Sequence, residues 1–114
     1  MVYSFTLDSV GDALVAAKDR GVEVKVVLEK DQLSKYSEYW RLKEAGIQVR
    51  LDGNPALMHH KVAIIDGAVV ITGSYNWSTS AETRNDENLI IVRSREVAWA
   101  YEAEFQKVWG QGSP

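Results

Sequence analysis

Asp66-Gly67 stands between two apolar, β-prone runs, Lys61–Ile65 and Ala68–Thr72. Asp-Gly supplies two residues that tolerate positive φ, which a two-residue hairpin turn demands. The dipeptide therefore predicts an antiparallel pair in the middle of the chain and sets which side chains stand together. With Asp66 and Gly67 as the turn, Ile65 pairs with Ala68. Continued outward, the ladder brings His59 opposite Ser74, with Cβ atoms about 4.5–5.5 Å apart. Strand alternation puts His59 and Lys61 on one face, and Ser74 and Asn76 on the same face.

Around this hairpin, strand and helix patterns alternate, which predicts a layered α/β domain. Val2–Thr6 is short and β-prone. Val10, Ala13, Leu14 and Ala17 follow the spacing of one helix face over residues 9–20, with Asp8 as the expected N-cap and Gly21 as the stop. Residues 22–28 alternate apolar and charged side chains as a strand does. Residues 34–45 predict a second helix, with Tyr36, Tyr39 and Trp40 on a face that core packing would cover. Residues 47–51 predict a strand, and 52–55 a turn-rich loop. Residues 76–83 read as a loop or short helix, 87–92 as a strand, and 95–109 as a closing helix. The five residues from Gly110 carry no packing signal. A single domain over 1–110 with a flexible tail at 111–114 is the expectation.

Composition narrows the chemistry. There is no cysteine, which excludes a disulfide scaffold, a thiol nucleophile and a thiolate zinc site. No apolar run approaches a membrane span and no signal peptide is visible, so the compartment stays open. The net charge of −3 speaks against broad phosphate affinity, though a local basic patch is compatible with it.

His59, Lys61, Ser74 and Asn76 offer an imidazole, an ammonium, a hydroxyl and an amide at the open end of one hairpin. That set suits an anionic, oxygen-rich group such as a phosphoryl. Taken singly, each is an ordinary polar residue near a strand end. Asp66 has the opposite parity and lies seven residues, roughly 23 Å of strand, from His59. A structural role in the turn is expected for it, its carboxylate accepting turn N–H groups, rather than a place in a Ser-His-Asp triad. His60 points to the other face, so a metal site from the adjacent pair has diverging rings, and no metal is assigned.

His59-x-Lys61-x4-Asp66, followed by Gly73-Ser74-x-Asn76 and then by Glu87-Asn88, resembles the signature of the phospholipase D superfamily. Tyr3-Ser4-Phe5-Thr6, Ala16-Ala17-Lys18 with Gly21-Val22, and Ala81-Glu82-Thr83 are similar to the small bacterial Nuc-type endonucleases within it. The resemblance implies a phospholipase D/nuclease-like sheet flanked by helices. In that family a further strand and helix usually precede the segment that begins here. It implies metal-independent, cofactor-free phosphodiester hydrolysis, with His59 as nucleophile, Lys61, Ser74 and Asn76 holding the phosphate, and Glu87 accepting the proton on the other nitrogen of His59. One signature per chain implies a homodimer, with the site at the two-fold axis and Asn76 and Trp77 as candidates to line it.

Nucleic acid is the substrate that the Nuc-type resemblance implies. Lys25, Lys30, Lys35, Arg41, Lys43, Arg50 and Arg84 are candidate groove contacts, or simply a solvated surface. A phospholipid headgroup presents the same phosphodiester and is the alternative substrate. A dimer that binds phosphodiesters without cutting them is the non-enzymatic alternative.

Overall fold

The computed structural model describes residues 1–114. The chain runs α1 (Asp8–Asp19), β1 (Lys25–Leu28), a single 3-10 turn (Lys30–Gln32), α2 (Tyr39–Glu44), β2 (Gln48–Leu51), β3 (Val62–Ile65), β4 (Val69–Gly73), α3 (Thr79–Thr83), β5 (Leu89–Arg93) and α4 (Arg95–Gln111). β1 and β2 pair in parallel, and β3, β4 and β5 form an antiparallel meander.

Residues 1–6 join the two sheets. Val2 bridges Leu28 in parallel and Lys61 antiparallel. Val2 N–H donates to the Val27 carbonyl at 3.0 Å, and Tyr3 N–H to the His60 carbonyl at 2.8 Å. This segment is therefore the middle of a mixed sheet, not its edge. Alternation along it serves both faces. Met1 enters a core with Val27, Met58, Val62, Val70 and the α4 residues Ala98, Phe105 and Val108. Val2 and Phe5 enter the opposite core with Val26, Leu28, Tyr39, Leu42, Ile47 and Val49, against which Val10, Leu14 and Val15 of α1 pack. The neighbours Val26 and Val27 divide between the two cores in the same way. The result is three layers, with α1 and α2 on one face and α4 on the other, as the layered α/β expectation requires.

Several local expectations change. The N-cap of α1 is Leu7, and Asp8 is its first helical residue, placing a carboxylate in the positive first turn. α2 is six residues long, not twelve, because the chain first makes a 3-10 turn and an irregular loop. Of the three aromatics expected on its face only Tyr39 is buried; Tyr36, which precedes the helix, and Trp40 are 69% and 53% exposed. The tail is tied down. α4 continues to Gln111, and Leu51 and Ser113 exchange N–H···O bonds of 2.8 and 3.0 Å.

The hairpin register differs by one. Asp66 and Gly67 adopt φ of 56° and 61°, as a primed turn needs, and Ala68 N–H closes the turn on the Ile65 carbonyl at 3.0 Å. The ladder partner of Ile65 is nevertheless Val69, which leaves Ala68 as an extra residue whose carbonyl accepts Ser94 N–H. A one-residue shift exchanges the faces of a strand. The ladder also stops at Val62↔Thr72, so His59 and Ser74 are not cross-strand partners.

Candidate active site

The backbone before β3 pairs with the N-terminal segment instead. Met1 and Val62 exchange backbone bonds, and His60 accepts from Tyr3, so His59 and Lys61 project on the side of Tyr3. The Tyr3 and His59 rings meet edge-on with centroids 4.6 Å apart. Lys61 Nζ lies 3.3 Å from His59 Nδ1, donates to the His59 carbonyl at 2.8 Å, and sits 5.3 Å from the Tyr3 ring centroid. His59 is exposed and Lys61 half-buried.

Gly73 brings the other wall of the site into place. Its φ of 152° is open to glycine, and a Cβ there would fall 2.2 Å from the Asn88 carbonyl oxygen. This close approach breaks the alternation of β4 and lays Ser74 against the segment before β5. Ser74 N–H donates to the Asn88 carbonyl, and Asn88 N–H to Ser74 Oγ, both at 3.1 Å. Ser74 Oγ–H in turn donates to Glu87 Oε1 at 2.5 Å, while Asn85 Nδ2 donates to Glu87 Oε2 at 3.0 Å. Glu87 precedes β5 rather than opening it, and makes no hydrogen bond to His59 of its own chain. Asn76 Oδ1 accepts Ser4 N–H at 3.1 Å, which leaves its amide hydrogens free to donate outward.

The two walls sense each other. Burial pulls the Lys61 ammonium below its usual pKa range, and the Glu87 charge partly opposes this. The Ser74 hydroxyl, then the Asn85 amide, hold the Glu87 carboxyl below its usual range, with the Lys61 charge adding to them. The site thus presents the Lys61 ammonium, the Glu87 carboxylate, the His59 ring and a free amide on one open surface.

Behind His59, a buried polar cluster fixes the loop that delivers it. Glu29, 1% exposed at the end of β1, accepts Met58 N–H at 2.6 Å and Asp31 N–H at 3.2 Å. Asp52, also buried, accepts Lys30 N–H at 2.8 Å and Asn54 N–H at 3.0 Å. Lys30 Nζ closes the cluster on the Asn54 carbonyl at 2.6 Å and lies between both carboxylates. A buried charge is tolerated only when paired and hydrogen-bonded, and here each carboxylate holds backbone of the loop before His59. The sequence alone did not single out Glu29, Asp52 or Tyr3 as residues of the site. Its available signals were a carboxylate directly after the apolar run Val26–Leu28, and an Asx-turn former at Asp52.

Other expected residues lie elsewhere. Asp66 is exposed at the far turn, and its carboxylate accepts no hydrogen bond; its part is to occupy φ 56°, which Asp tolerates better than most residues. The expected bonds to turn N–H groups are absent. His60 points to the opposite face, 3.4 Å from Glu104, as strand parity requires. Trp77 packs edge-on against Phe5 at 5.0 Å, an ordinary packed aromatic. Of the seven candidate groove cations, four are engaged within the chain. Lys30 is in the buried cluster, Arg41 pairs with Asp12 and Glu38, Arg50 stacks on Trp109 at 4.2 Å, and Lys25 pairs with Glu23. Lys35, Lys43 and Arg84 stand exposed and outside any salt bridge.

A family model described as "Cardiolipin synthase, PLD-like domain" matches residues 1–109. The chain belongs to this PLD-like family. Its fold superposes on Nuc, a phospholipase D family member from Salmonella typhimurium, with a TM-score of 0.93 and 37% identity over 99% of this chain and 77% of that one. NucT from Helicobacter pylori matches with a TM-score of 0.91 and 29% identity, over 97% and 77% of the two chains. Among curated proteins, the mitochondrial cardiolipin hydrolase of Homo sapiens is 40% identical over 99% of this chain and 45% of its own length. A phospholipase D of Rickettsia prowazekii is 40% identical over 87% and 49%. The chain thus spans about half the length of the curated relatives it matches.

Proposed function

We propose that this chain is a metal-independent phosphodiesterase that works through a covalent phosphohistidine on His59, as a homodimer, with nucleic acid as its substrate. The observation that supports this most is the shared rim. His59 and Lys61 on one wall face the electrostatic field of Glu87 on the other, with the Asn76 amide free beside them.

In the first step the His59 imidazole attacks phosphorus, a P–N bond forms and one P–O ester bond breaks. The departing oxygen takes a proton from His59 of the second copy. Water then attacks the phosphohistidine, giving its proton to that same second imidazole, and the P–N bond breaks to release a phosphomonoester. Splitting one displacement into two steps lowers each barrier, and Lys61 and Asn76 stabilise the charge on the nonbridging oxygens. These steps need one imidazole neutral and the other protonated. Glu87 holds Ser74 in its own chain, so the imidazole it orients in this scheme is the one the second copy brings.

The dimer has a surface to use. Leu89, Ile90 and Ile91 of β5 are 45%, 55% and 55% exposed, and β5 is an edge strand that begins two residues after Glu87. An exposed apolar edge beside a half-built site is a natural seat for a second copy. The names of the relatives above favour a second reading, cleavage of a phospholipid headgroup by the same steps.

Hydrolysis of plasmid DNA, of an activated small phosphodiester and of cardiolipin vesicles in excess EDTA, compared with His59→Ala, tests the proposal. The expected outcome is EDTA-resistant cleavage of DNA and the small diester, reduced by about 10³-fold or more in the variant. Activity confined to the vesicles supports the lipid reading. Activity abolished by EDTA, or retained by His59→Ala, contradicts both.

A further inference from the structure

We propose that Tyr3 is a positioning residue of this site, whose ring fixes the His59 imidazole and the Lys61 ammonium relative to each other. Three contacts converge on it. Its ring meets the imidazole edge-on at 4.6 Å. The Lys61 ammonium lies 5.3 Å from the same ring centroid. Its hydroxyl accepts from Gln32 Nε2 at 3.0 Å, which ties the ring to the 3-10 turn after β1. Tyr3 is also the residue whose backbone N–H holds the His60 carbonyl, between the two side chains it touches.

His59 is solvent-exposed, so little packing restricts its ring apart from Tyr3. An exposed imidazole turns freely about χ2, whose energy profile is broad. A T-shaped aromatic contact favours one orientation of the ring. Lys61 is half-buried on a flexible four-methylene stem, its tip held by the His59 carbonyl, and the aromatic face attracts its charge. One rigid ring against both groups holds the nucleophile and the phosphate-binding charge at a constant separation. Rate is sensitive to such placement, since a misplacement of about 1 Å can cost 10²-fold. The consequence for rate rests on the phosphohistidine reading; the contact itself does not.

The test has two parts. In the wild-type protein, nuclear Overhauser contacts between the Tyr3 and His59 ring protons are expected, and the His59 resonances are displaced by the Tyr3 ring current. Tyr3→Phe retains the displacement, whereas Tyr3→Leu moves the His59 resonances to those of an unstacked imidazole. In phosphodiester hydrolysis, Tyr3→Leu is expected to lower kcat roughly 10- to 100-fold with KM little changed, and Tyr3→Phe to restore it to within about threefold of wild type. A wild-type protein without the ring–ring contact overturns the proposal, whether or not any variant folds. So does a folded Tyr3→Leu with unchanged kcat, or a Tyr3→Phe as impaired as Tyr3→Leu. If the wild-type protein cleaves nothing, the phosphodiesterase reading fails, and the resonance measurements still decide the role of Tyr3.

Discussion

The β1–β2 half and the β3–β4–β5 half of this sheet are built to different ends. In the first, parallel strands are covered by α1 and α2, and Val26, Val27, Leu28 and Val49 are buried. Parallel pairs take that form because their crossover helices cover the sheet. In the second, β5 leaves Leu89, Ile90 and Ile91 exposed, and polar groups gather where its ladder with β4 ends. The first half supplies stability and, through Glu29, a fixed end for the loop that carries His59. The second supplies a polar wall beside an exposed apolar edge strand. In the proposed scheme the chemistry sits at the junction, where residues 1–6 join the two.

This contrast can be broken in graded ways. The largest effect on folding is expected from Leu42→Ala, a fully buried side chain of the covered half. It should cost about 2–5 kcal/mol by denaturant unfolding, with hydrolysis per folded molecule unchanged. Ile90→Lys in the open half should do the reverse. The unfolding free energy of the single chain should move by less than about 1 kcal/mol. Sedimentation should show a weakened dimer, and hydrolysis should fall with it. If Ile90→Lys leaves both dimer and rate intact, β5 is not the contact surface.

Glu87→Gln sharpens the link between the two walls. Burial lowers the Lys61 pKa from 10.5 and the Glu87 charge raises it. The Lys61 charge, which holds the phosphate in the proposed scheme, is present below its pKa and is lost as pH rises through it, so the alkaline limb of kcat/KM should fall below 10.5. Removing the Glu87 charge lowers that pKa further, and the limb should move to lower pH. A limb that stays fixed or moves upward separates Lys61 from Glu87. The smallest effect is expected from Asp66→Gly. Glycine relieves the positive φ but gains freedom when unfolded, so stability should change by less than about 1 kcal/mol and hydrolysis not at all. A loss of hydrolysis would place Asp66 in the chemistry instead of the turn.

Much of this was legible in the sequence. Periodicity gave the alternation of strands and helices, because buried faces impose it. His59, Lys61, Ser74 and Asn76 stood out by type and spacing, Glu87 only through the family resemblance, and all but Asp66 of the signature lie around one rim. The register did not follow from Asp-Gly alone. Ala68 is taken up as an extra residue by its bond from Ser94, a contact between segments that no local rule sees. The central place of residues 1–6 was equally hidden, since a short β-prone run looks the same at an edge as in the middle of a sheet. Tyr36 and Trp40 were misplaced in the core because their spacing suggested a helix that the chain begins only at Tyr39. Glu29 and Asp52 were missed because burial of a carboxylate is decided by partners far along the chain.

The central claim is that His59 forms a covalent bond to phosphorus. Rapid quenching of the protein with a labelled small phosphodiester in EDTA, followed by peptide mass spectrometry, tests it most directly. An acid-labile, base-stable phosphoryl adduct on His59, absent in His59→Ala and formed no slower than turnover, is the predicted result. Turnover in EDTA with no adduct at His59, or an adduct on another residue, would contradict it.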